Sequence, residues 1–127
     1  MCACLRVPGT RGAEIHASVA PWPDEPVIVK NFPNGFRATP LLERLQALAA
    51  HQLVVAGMMT HMCIDTTVRA AFDLGFQCTL AHDACATRAL SFGGTTVPAA
   101  QVHAAFVAAL HGIFADARAT ADILATP

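Results

Sequence analysis

Gly57-Met58-Met59-Thr60-His61-Met62-Cys63-Ile64-Asp65-Thr66 is the stretch whose reading decides the fold. The apolar run Leu53-Val54-Val55-Ala56 precedes it and reads as a buried strand. After it, Ile64, Thr67, Val68, Ala71 and Leu74 recur at helical spacing, and Gly75 supplies a stop. Thr60 is placed to cap that helix, which makes His61 its first residue and Cys63 its third. Strand, tight turn and helix in that order build the carboxyl edge of an open α/β sheet, where such sheets hold their ligands. A thiol in the first helical turn meets uncapped amides and the positive end of the helix dipole, and both favour the thiolate. The same amides suit an oxyanion on a substrate carbonyl. Cys63 is therefore the candidate nucleophile, set against the plainer alternative of a small buried hydrophobe.

The flanking sequence alternates strands and helices. Val27-Ile28-Val29-Lys30 is β-branched and reads as a strand ending in lysine. Thr39 is placed to cap a helix with Pro40 at its first position and Leu41, Leu45 and Leu48 as its buried stripe. Residues 76–81 predict a further strand, and residues 91–96 a loop whose glycines lack the lysine of a phosphate-binding loop. Pro98 opens a long helix with Val102, Phe106, Ala109, Leu110 and Ile113 inward, and residues 118–124 predict a last short strand. His103 and His111 on that helix read as structural or exposed. The alternation implies one α/β domain over residues 1–127 with a parallel sheet and crossover helices.

Composition bounds the function. The chain has 127 residues, a net charge of −1, 54 % hydrophobic and 13 % charged residues, against a usual charged share of about 25 %. That charge gives no electrostatic reason for nucleic acid or a membrane as partner. So apolar a chain is expected to hide surface in a homo-oligomer. No stretch reaches the roughly 18 apolar residues of a membrane span, and Met1-Cys2-Ala3-Cys4-Leu5-Arg6 is too short for the core of a signal peptide. Five cysteines, Cys2, Cys4, Cys63, Cys78 and Cys85, form no disulfide framework, so a reducing cytoplasm is the expected compartment. Cys2 and Cys4 without a second pair make a poor zinc signature, and neither metal nor cofactor is expected.

Several motifs in one order carry a resemblance. They are the strand ending in Lys30, Asn34-Gly35-Phe36, Thr39-Pro40-Leu41-Leu42, the Gly57–Cys63 turn, Thr67-Val68-Arg69-Ala70-Ala71, and Ala81-His82-Asp83-Ala84-Cys85-Ala86. Together the pattern resembles the isochorismatase-like cysteine hydrolases, the group that includes nicotinamidases and N-carbamoylsarcosine amidases. The resemblance implies a three-layer α-β-α, doubly wound, mostly parallel sheet. It implies Cys63 as nucleophile, Lys30 as catalytic lysine, and an oxyanion hole from the amides of Met59 and Cys63. It also implies a cis peptide between Met58 and Met59, and a pocket lined by Asn34, Phe36, Thr60 and His61 for a small-molecule substrate.

The family also uses an aspartate at the end of its first strand as general base. By the resemblance, this chain begins inside the family domain, with the first strand, first helix and second strand missing. Among the acids present, Asp65 projects to another side of the helix than Cys63, Asp24 and Glu25 sit in a proline-rich turn, and Asp83 suits a helix cap or a loop anchor. His61 and His82 are the internal alternatives as base. Two functions follow: hydrolysis of a small amide or related molecule through Cys63, or a catalytically impaired module for oligomerisation or small-molecule binding. A redox-sensing Cys63 is a third, without an evident resolving cysteine.

Overall fold

The computed structural model describes residues 9–125. Three parallel strands form the main sheet: β1 (Gln52–Met58), β2 (Gln77–Ala86) and β5 (Asp116–Arg118), in the order β1-β2-β5. A hairpin of β3 (Leu90–Phe92) and β4 (Thr95–Val97) stands apart from it. The helices are α1 (Leu41–Ala47), α2 (Asp65–Asp73), α3 (Ala99–Leu110) and α4 (Thr120–Leu124). β1 passes to β2 through α2, and β2 to β5 through the hairpin and α3, so parallel pairing follows from helical crossovers. The mostly parallel α/β class expected from the sequence is the one observed.

One face of the sheet makes the core. Ile64, Val68 and Ala71 from the Cys63 segment and α2 close on Cys78 and Leu80 of β2, with Phe76, Leu110 and Ala115 completing the cluster. Leu42 and Leu45 of α1 and Leu53 and Val55 of β1 pack against it. Alternation sets the other face of β1: Val54 and Met58 are 64 % and 57 % exposed. The β1–β2 ladder runs from Gln52↔Gln77 to Val55↔Leu80, shifts, and resumes at Gly57↔Cys85. That shift carries the end of β2 up beside the turn that holds Cys63.

Six expectations need correction. Residues 27–30 form no strand, and Val27 and Val29 are exposed; β-branched residues make a strand only beside a partner, and no described strand flanks them. The helix after Thr39 starts at Leu41 rather than Pro40, although Thr39 Oγ1 does accept the Leu41 N–H at 3.3 Å. Its stripe is Leu42 and Leu45, because Leu48 lies past the helix end and points to solvent. Residues 91–96 are a hairpin turning at Gly93 and Gly94, both at positive φ (56° and 80°), the conformation that a two-residue hairpin turn requires. Residues 118–124 divide into the end of β5 and helix α4, and Ala109 and Ile113 are exposed while Val102 and Leu110 are buried. Cys2 and Cys4 lie outside the described residues.

Candidate active site

The last residue but one of β1 is Gly57, whose φ of 126° only glycine adopts without strain. The Met58–Met59 peptide that follows is cis. The chain then winds as a π-turn, Thr60–Ile64, before tightening into α2. The carbonyl of Met59 accepts the N–H groups of Met62 and Ile64 at 2.9 and 3.3 Å, so Met59 and not Thr60 occupies the cap position. Thr60 starts the wide turn instead. Its side chain is wholly buried and its Oγ1 lies 3.1 Å from His103 Nδ1 on α3.

The turn presents a half-buried Cys63 to Lys30. Lys30 Nζ donates to Cys63 Sγ at 3.2 Å, across 33 residues of sequence. It donates also to the carbonyls of Phe32 at 3.0 Å and Pro33 at 3.4 Å. An ammonium has three protons to give, and three acceptors meet this one. The geometry sets a cation against the sulfur, the arrangement that nucleophilic cysteines use. Cys78 and Cys85 have no such cation beside them in the described contacts, and burial pushes both thiols up from their ordinary range.

Around this pair the remaining candidates are tied to the scaffold. Asn34 Oδ1 accepts the Phe36 N–H at 2.9 Å, and the Phe36 ring stacks on Phe76 at 6.1 Å. His61 Nδ1 lies 2.5 Å from Thr87 Oγ1, with its ring edge-on to Phe106. Burial first, and the charge of Arg88 second, lower the His61 pKa from its ordinary 6.5, so the ring is neutral at neutral pH. The acids are engaged as well. Asp65 pairs with Arg69 at 3.0 Å, Glu25 Oε2 accepts the Trp22 N–H, and Asp83 Oδ1 accepts both the N–H and the hydroxyl of Thr120 at the start of α4.

An open cleft of about 380 Å³ lies at the carboxyl end of β2, lined by His82, Asp83, Cys85, Thr87, Ala99 and His103 among others. Thr87 and His103 are the partners of His61 and Thr60, so the cleft adjoins the Cys63 turn. Sequence reasoning passed over Thr67, Thr87 and His103 as members of this neighbourhood.

A family model described as the isochorismatase domain matches residues 4–122. The chain belongs to the isochorismatase family. Within that family it is 50 % identical over 117 residues to the protein YddQ of Bacillus subtilis, covering 92 % of this chain and 65 % of YddQ. It is 40 % identical over 96 residues to a streptothricin hydrolase of Streptomyces noursei, covering 73 % of this chain and 35 % of that enzyme. Among solved structures, an isochorismatase hydrolase from Oleispira antarctica superposes with a TM-score of 0.91 at 51 % identity, over 94 % of this chain and 63 % of that one. The chain thus spans less than two thirds of the length of each of these relatives.

Proposed function

We propose that this domain works as a cysteine hydrolase on a small amide or closely related molecule. The Cys63 sulfur attacks the carbonyl carbon, and the amides of Met59 and Cys63 take the oxyanion. The C–N bond breaks, the amine leaves with the proton the thiol gave up, and a thioester remains. Water then cleaves the C–S bond, releasing the acid and returning the thiol. Lys30 holds the thiolate by charge and steadies the anionic transition state. The observation that carries this reading is the 3.2 Å contact between Lys30 Nζ and Cys63 Sγ. Hydrolysis by the streptothricin hydrolase relative is consistent with it.

The substrate's remaining atoms fit the cleft beside Thr87 and His103, with neutral His61 at its border. Asn34, Phe36, Thr60 and His61 line the substrate pocket in this reading, each held in place by one scaffold contact. We place the reaction in a reducing compartment, since Cys63, Cys78 and Cys85 are all free. We also expect self-association through the exposed face of β1, where Val54 and Met58 meet water. One observation favours the second reading, a binding module with little turnover: Glu25, Asp65 and Asp83 are each committed elsewhere.

A panel of small amides assayed for release of ammonia or amine separates the two. The hydrolase reading predicts turnover that Cys63→Ala abolishes. Binding by calorimetry without release from any member would replace it with the module.

A further inference from the structure

Lys30 stands on a segment that belongs to neither sheet. Its place beside Cys63 therefore depends on the loop that follows it. Phe36 packs that loop against the core, and among the described hydrogen bonds those that tie the loop to α2 run through one side chain. Thr67, one helical turn beyond Cys63, accepts the N–H of Gly35 on its Oγ1 at 2.9 Å and donates to the carbonyl of Pro33 at 3.3 Å. The fit is close: a Cβ on Gly35 would meet Thr67 Cγ2 at 3.1 Å and Leu41 Cδ2 at 3.4 Å, so the loop backbone rests on the helix. The Pro33 carbonyl is shared, since Lys30 Nζ also donates to it at 3.4 Å. The chain of contacts runs from Thr67 hydroxyl to Pro33 carbonyl to Lys30 ammonium to Cys63 sulfur. It leaves and rejoins one continuous helical run.

We infer that Thr67 is a positioning residue for the Lys30–Cys63 pair: its hydroxyl pins the 33–35 loop to α2 and so holds the ammonium at the sulfur. The loop's other bonds do a different job. Asn34 Oδ1 to the Phe36 N–H, and Thr39 Oγ1 to the Gly35 carbonyl at 2.6 Å, shape the loop within itself. Thr67 couples that shape to the helix that carries the nucleophile. A carbonyl with two donors is held in direction, and a lysine on a flexible four-carbon stem needs such an anchor to stay at one acceptor. The inference rests on the reading of Cys63 and Lys30 as the working pair.

The test is the alkylation rate of Cys63 by iodoacetamide from neutral to alkaline pH, followed on the Cys63 peptide by mass spectrometry. Wild type, Thr67→Val, Thr67→Ser and Lys30→Met are compared, with Cys78 and Cys85 as internal references. Thr67→Val keeps the shape and loses the hydroxyl. It is expected to alkylate roughly tenfold more slowly at neutral pH, with its rate profile displaced to higher pH in the same direction as Lys30→Met. Thr67→Ser keeps the hydroxyl and is expected to follow wild type. A Thr67→Val rate within about twofold of wild type, beside a slow Lys30→Met, overturns the role of Thr67 alone. A Lys30→Met rate equal to wild type overturns the pair itself, and the role of Thr67 with it. If Thr67→Val does not fold, Thr67→Ala, which leaves more room beside Gly35, is read by the same criteria.

Discussion

The two faces of β1 live in different solvents. On one, Leu53 and Val55 pack into a core where Val68, Leu80 and Leu110 have no accessible surface. On the other, Val54 and Met58 are exposed, and β1 is the outer strand of the sheet among the described residues. The Cys63 turn grows from the packed side. Ile64 and Val68 bury themselves in that core, so Cys63 between them and Thr60 is held by packing as well as by hydrogen bonds. The difference teaches that the Cys63–Lys30 contact is supported from one packed face of the three-stranded sheet, while the other face of β1 takes no part in it.

The comparison is sharpened first at the sulfur. Cys63→Ala is expected to abolish amide turnover, and Lys30→Met to reduce it by about 10²-fold or more, in line with loss of one charge-stabilising group; steady-state kinetics of the three proteins decide it. Next comes stability. Leu80→Ala on the packed side should cost about 2–5 kcal/mol through the lost burial and the cavity left behind. Val54→Ala on the open side should stay within about 0.5 kcal/mol. Urea unfolding of both variants measures the gap, and equal costs would break the contrast between the two faces.

The titrating groups give smaller effects, with opposite chemistry and the same sign. His61 titrates below its ordinary 6.5 because burial disfavours its charged form. The unfolded chain therefore binds the proton more readily, so the stability this ring contributes is complete above pH 6.5 and declines as pH falls below it. Asp83 titrates below its ordinary 3.8, chiefly because the Thr120 hydroxyl and N–H bond to its carboxylate. Its contribution is present above pH 3.8 and is lost as pH falls through the folded value. Unfolding midpoints followed down in pH should show the first slope vanish in His61→Gln and the second in Asp83→Asn. Slopes unchanged by both substitutions would contradict the assigned partners.

What the sequence disclosed depended on range. The strand, turn and helix around Cys63 were legible because Leu53, Val55, Ile64, Val68 and Gly75 state their roles within a few neighbours. The class of the sheet followed from that alternation. The segment at 27–30 was misread because β-branched residues give only a propensity, and a strand is a relation between two segments. The strands that flank Gly93-Gly94 are three residues each, too short for alternation to set them apart from their turn. Thr60 was misplaced by one position because a π-turn and an α-turn look alike in sequence. Thr67, Thr87 and His103 escaped notice since their partners are 32, 26 and 43 residues away. Only folding brings such pairs together.

The most direct test of the central claim is covalent. The protein is mixed with p-nitrophenyl acetate, a small activated ester, quenched in acid and mapped by intact and peptide mass. A Cys63 that works as nucleophile beside Lys30 predicts one acetyl group, on the Cys63 peptide, absent in Cys63→Ala and much reduced in Lys30→Met. No acetyl group on Cys63, or acetylation spread evenly over the cysteines and unchanged by Lys30→Met, would contradict it.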